Sequence, residues 1–170
     1  MSRDSDLADF DGARQEWEAA FGRVPDEALQ YLRPGDDYAL GGLQVHVNWV
    51  LLHYSRVLDG IIAKRFAPLE PQDSPGESDE VGRRAKAGMN PNERKRSLDE
   101  MGRLHAAVRG AASRLQAADW SRKAAVVYGA GQDPYPTSPE EILGWLRDHY
   151  REHVQQSAEL VEEWRATAGG

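Results

Sequence analysis

The sequence predicts an all-α protein, a four-helix bundle with a long crossover between its second and third helices. Three observations point there. Apolar residues recur at three-and-four spacing in four long stretches, no stretch alternates apolar and polar residues as a half-buried strand would, and the segment between the second and third stretches is dense in proline, glycine and charge. At 170 residues the chain is long enough for one compact domain and short for two, so a single domain over residues 1–170 is expected.

The first helix carries Phe10, Trp17, Phe21 and Val24 on one face. It should stop before Pro25, because the residue preceding a proline avoids the helical region. Pro25 can open a short helix through Tyr31, and Pro34-Gly35 with Asp36 and Asp37 marks a turn. Ala39 to Phe66 reads as a long second helix bearing Leu43, Val47, Val50, Tyr54, Val57 and Ile61, apolar over a wide arc and therefore central. Residues 67–91 hold Pro68, Pro71, Pro75, Gly76, Gly82, Gly88 and Pro91 among charges, the composition of a flexible crossover. The third long helix follows with Leu98, Met101, His105, Val108, Ala112 and Leu115 at heptad-like spacing. A short helix is expected within 119–128 and a glycine- and proline-rich loop over 129–137. Ser138-Pro139-Glu140-Glu141 then opens the last helix with serine at the N-cap, proline at the first position and glutamate three residues after the cap.

Composition narrows the function classes. Lys and Arg total 21 against 28 Asp and Glu, a net charge of -7, which disfavours nucleic acid and anionic membrane as partners. The chain has no cysteine, so thiolate metal sites and a cysteine nucleophile are excluded, and any thiol chemistry needs an external thiol. No apolar run approaches the roughly 18 residues of a membrane span, and the charged start lacks a secretion signal, so a soluble cytoplasmic protein is expected.

The most informative chemistry lies in the last helix. Its stripe runs Ile142, Leu146, His149, His153, Gln156, Leu160, Trp164, so two imidazoles one turn apart stand where core residues would. Burying an unpartnered polar group costs on the order of a few kcal/mol, so these rings need hydrogen-bond partners or a metal ion. A spacing of four lets both rings reach one cation, and a three-histidine set with open positions suits catalytic zinc, with nickel, copper and ferrous iron also compatible. The third ligand must come from another helix. His46 is the first candidate, with His53 and His105 as substitutes; His53 lies about 10 Å farther along its helix than His46, so one ion could not take both. The competing reading is that the pair is satisfied by core or interfacial hydrogen bonds, and His105 alone reads better as a hydrogen-bonded core residue.

His149-Tyr150-Arg151-Glu152-His153 also matches an inverted zinc-protease signature, with Glu152 as base. Those enzymes take a third ligand from a glutamate far downstream, which this chain lacks the length to supply. Glu152 instead lies to one side of the stripe. The basic clusters Arg83-Arg84 with Lys86 and Arg94-Lys95-Arg96 read as solvated loop residues.

Taken together, Tyr38 to His46, the helix continuing through Tyr54 and Leu58, and Pro139 to Leu143 leading to His149-Tyr150-Arg151-Glu152-His153 resemble the DinB/YfiT-like superfamily of metal-dependent bundle proteins, from Trp17 to Trp164. Tyr38 departs from that pattern, standing where the family frequently has tryptophan. The resemblance implies a metal triad of His46, His149 and His153, a divalent zinc or nickel ion, and pairing into a homodimer. Where relatives have a known activity, it implies transfer or isomerisation with a low-molecular-weight thiol and a small-molecule substrate. A metal-dependent hydrolase and a noncatalytic bundle that binds a metal or small ligand remain the alternatives.

Overall fold

The computed structural model describes residues 2–168. Four long helices form the body: α1 (Arg3–Gly22), α2 (Leu40–Ala63), a shorter α3 (Glu77–Ala87) in the crossover, then α4 (Pro91–Ser113) and, after a single-turn α5 (Ala117–Trp120) and a hairpin of β1 (Ala124–Val126) and β2 (Tyr135–Thr137), the terminal α6 (Pro139–Ala168). Helix α1 packs on α6 and α4, and α2 packs on α4 and α6, which closes a ring of four helices. Phe10, Trp17, Phe21, Leu43, Leu51, Leu58, Met101, Val108, Leu146 and Leu160 fill its centre. Among the described residues no helix is long and apolar enough to cross a membrane.

The helix starts follow local chemistry. Ser2 accepts from the Ser5 amide at the head of α1. Asn90 and Glu93 form a reciprocal capping box on α4, with Pro91 at its first turn. At α6 the Ser138 hydroxyl accepts from the Glu141 amide at 3.3 Å while the Glu141 carboxylate accepts from the Ser138 amide at 2.9 Å, the box that the sequence pattern predicts.

Three segments depart from the expectation. The crossover holds α3, bounded by Gly76 at φ 79° and Gly88 at φ 76°, with Glu77, Asp79 and Glu80 in its first turn and Arg84 and Lys86 in its last. That charge order complements the helix dipole. Ala85 is its one buried residue, so there was no apolar stripe to betray it. Second, the region 119–128 is helical only to Trp120; Ala124–Val126 instead pairs antiparallel with Tyr135–Thr137, and Leu69 adds a parallel bridge by donating to the Ala125 carbonyl and accepting from the Val127 amide, both at 2.8 Å. Strands of three residues are too short to show alternation. Third, α2 ends at Ala63, with Arg65 and Phe66 at positive φ, and the turn after Pro25 is a 3-10 helix over Asp26–Ala28.

Helix α3 lies along α2 in a close fit. The Ala39 amide donates to the Ala85 carbonyl at 3.0 Å, and Gly42 approaches so closely that a Cβ there would stand 1.7 Å from that same oxygen. At the other end Arg56 of α2 donates to both Glu77 carboxylate oxygens, at 2.8 and 3.0 Å.

Candidate metal centre

Helices α2 and α6 bring three imidazoles to one place. The entry of α2 is fixed by backbone bonds from Leu40 to the Tyr31 carbonyl and from Gly41 to the Leu29 carbonyl, both 2.8 Å, which sets His46 near the first turns of the helix. His149 and His153 come from α6, one turn apart. One nitrogen from each ring lies within 4.8 Å of the other two, and the ring centroids are 4.4 Å apart for His149–His153, 4.9 Å for His46–His149 and 5.4 Å for His46–His153.

Neighbouring groups orient the rings. His153 is buried, and its Nδ1 donates to the Gln156 Oε1 at 2.8 Å, which leaves the Nε2 lone pair facing His149. The two Nε2 atoms stand 3.0 Å apart. Nitrogens bound to one ion at about 2.0–2.1 Å are about 2.9 Å apart at a right angle and about 3.3 Å apart at the tetrahedral angle, so this pair is spaced for a shared cation. Tyr38 stacks on His46 with centroids 4.5 Å apart and planes 20° off parallel, and Trp17 lies under His153 at 6.0 Å. Tyr38 therefore covers one face of a histidine of the site.

The electrostatics favour neutral imidazole. Burial, reinforced by the neighbouring His153, lowers the His46 pKa from 6.5 to about 4, and burial with His153 and His46 lowers that of His149 to about 2. Burial also lowers His153, against the opposing hydrogen bond from Gln156. Neutral rings with available lone pairs are the form that binds a metal.

The substitutes for the third ligand lie elsewhere. His53 is tied by its Nδ1 to Asp73 at 2.5 Å, and Asp73 also accepts from Arg56 at 3.2 Å. His105 is a core residue: its Nε2 donates to Asp11 at 2.9 Å, its Nδ1 accepts from the Tyr150 hydroxyl at 3.2 Å, and its ring stacks on Phe10 at 3.9 Å. Glu152 and Asp148 are exposed. Among the described residues no other three His, Asp or Glu side chains come together as the triad does, and no carboxylate belongs to it.

Sequence reasoning missed a chain of polar groups that crosses the bundle beside the site. Trp17 Nε1 donates to Gln44 at 2.7 Å, Gln44 donates to Asn48 at 2.8 Å, and Asn48 donates to the Ser97 carbonyl at 2.9 Å. The signal was present as two amides one turn apart, Gln44 and Asn48, on the most apolar helix. This network ties α1, α2 and α4 together, and Trp17 at its end lies 6.0 Å from His153.

The family model described as the DinB superfamily matches residues 9–157, a span that contains all three histidines. No curated protein matches the chain.

Proposed function

The chain belongs to the DinB superfamily, and from that membership and the geometry of the histidines we propose that His46, His149 and His153 hold a divalent ion, zinc or nickel, at the centre of a thiol-dependent S-transferase. The observation that carries this reading is the 3.0 Å approach of two Nε2 atoms, with the bond from His153 Nδ1 to Gln156 turning the His153 lone pair toward His149 and His46 completing a neutral three-nitrogen set. Without a metal, one of that pair must spend its proton on the other, and His46 is left with no hydrogen-bond partner among the described residues. An ion held by three neutral ligands keeps its full charge and so lowers the pKa of a thiol presented to it.

The chain's own residues do the rest. Tyr38 shields His46 on one side and Trp17 backs His153, so water reaches the site from a restricted direction. Because the chain lacks cysteine, the sulfur comes from an external low-molecular-weight thiol, which gives up its S–H proton to solvent as the new C–S bond displaces a leaving group from the small-molecule acceptor. A hydrolase built on the same triad is the alternative, since an ion on three neutral imidazoles also lowers the pKa of a bound water.

Elemental analysis of untagged protein tests the reading. The native chain should carry close to one zinc or nickel ion and His149→Ala should lose it. Metal content unchanged by that substitution would move the site elsewhere. A further comparison separates catalysis from scaffolding. Chelation that abolishes thiol transfer is the expected result, whereas chelation that only lowers the unfolding temperature of a chain with no transfer activity would mark a noncatalytic metal-binding bundle.

A further inference from the structure

The seam between α2 and α6 continues past the histidines as a wall of aromatic rings. Trp145 lies one helical turn before His149, about 6 Å along the axis. Tyr54 of α2 faces it with centroids 5.6 Å apart, and Tyr128, Tyr135 and His53 extend the cluster, Tyr128 at 6.3 Å from Tyr54, Tyr135 at 6.2 Å from Trp145, and His53 at 4.8 Å from Tyr54. Tyr54, Tyr128 and Trp145 pack against the core yet are half-buried, so part of each ring stays accessible, and Tyr135 is 51% exposed, the one exposed large hydrophobic side chain among the described residues. The hydroxyl of Tyr128 is bonded to Thr137 at 2.9 Å, whereas that of Tyr54 makes no hydrogen bond to another described residue.

We propose that Trp145 and Tyr54, with Tyr135 at the rim, form a selectivity wall for a planar aromatic group on the small molecule whose donor atom meets the histidine site. The inference rests on the reading that the triad holds a metal and adds to it the class of ligand. The spacing supports it, since a ring one carbon removed from a donor atom at the triad reaches the next helical turn, where Trp145 stands. Offset and edge-to-face ring contacts add to simple apolar burial, so the wall distinguishes a flat ring from a puckered one of similar size.

Cobalt-loaded full-length protein provides the test, with the cobalt absorption spectrum reporting thiol binding. Benzyl mercaptan and cyclohexylmethanethiol present the same donor at the same distance from rings of similar bulk. Benzyl mercaptan should bind at least about fivefold more tightly to the native protein. Trp145→Leu should bring the ratio close to one while cobalt stoichiometry stays unchanged, and Trp145→Phe, which keeps a flat ring, should restore the preference. Tyr135→Ser at the exposed rim should lower the ratio too, and it decides the matter should Trp145→Leu fail to fold. Cobalt held with equal affinity for both thiols, or with neither bound, overturns the wall and leaves the metal site standing, as does a preference that survives Trp145→Leu. A native chain that takes up no cobalt overturns the metal reading and the wall with it.

Discussion

Gln156 shows how a single hydrogen bond can prepare a histidine for a ligand. Its Oε1 accepts from His153 Nδ1 at 2.8 Å, and that bond selects which nitrogen of His153 carries the lone pair. Gln156→Ala should weaken zinc affinity by about 10- to 100-fold, measured by chelator competition, with the helix content unchanged. Affinity equal to that of the native protein would mean that packing alone sets the tautomer. That His149 and His153 share one helix face was legible in the sequence from their spacing of four on an apolar stripe, whereas Gln156 was read only as a member of that stripe and its bond to His153 was not foreseen. The stacking of Tyr38 on His46 was not legible, since Tyr38 precedes α2 and no periodicity carries information across a helix start.

At the scale of the element, α3 is the instructive case. A single buried residue, Ala85, the backbone bond to its carbonyl from Ala39 and the Arg56–Glu77 ion pair at its start hold it to α2, and the fit depends on the missing side chain at Gly42. Gly42→Ala would drive a methyl group into the Ala85 carbonyl, and because the obstacle is backbone it cannot swing aside. Overpacking of this kind costs about 1–3 kcal/mol. Amide exchange should rise over residues 77–87 and the unfolding temperature should fall by several degrees, whereas Gly12→Ala, inside α1 and meeting nothing within 4 Å, should leave that exchange unchanged and raise the unfolding temperature slightly. The four long helices were readable from their stripes, and the Ser138 box marked the start of α6. Helix α3 and the hairpin were unreadable for the same reason: each owes its shape to what it docks against, through backbone hydrogen bonds and terminal charges rather than an apolar pattern of its own.

For the molecule as a whole, the buried imidazoles couple stability to acidity. His46, His149, His153 and His105 all have folded pKa values below the unfolded value of about 6.5, so between those limits the unfolded chain binds more protons. Stability of metal-free protein should therefore hold steady above pH 6.5 and fall by about 1 kcal/mol per pH unit for each of His46 and His149 as the pH drops toward 4, with His153 and His105 acting in the same direction. Calorimetry across that range checks the sign; an unfolding temperature that rises on acidification would show that the rings charge readily inside the fold. Zinc at a hundredfold excess over its dissociation constant should add about 2.7 kcal/mol at neutral pH, and the increment should shrink toward the acid end as protons compete for the same nitrogens.

The division of labour between the helices has one more consequence. Two of the three imidazoles sit on α6 and are positioned by that helix's own pitch, while the third sits on α2. An ion held by all three would tie two helices that are distant in the sequence, so metal added to the folded chain should act as a clasp that slows the parting of α6 from α2.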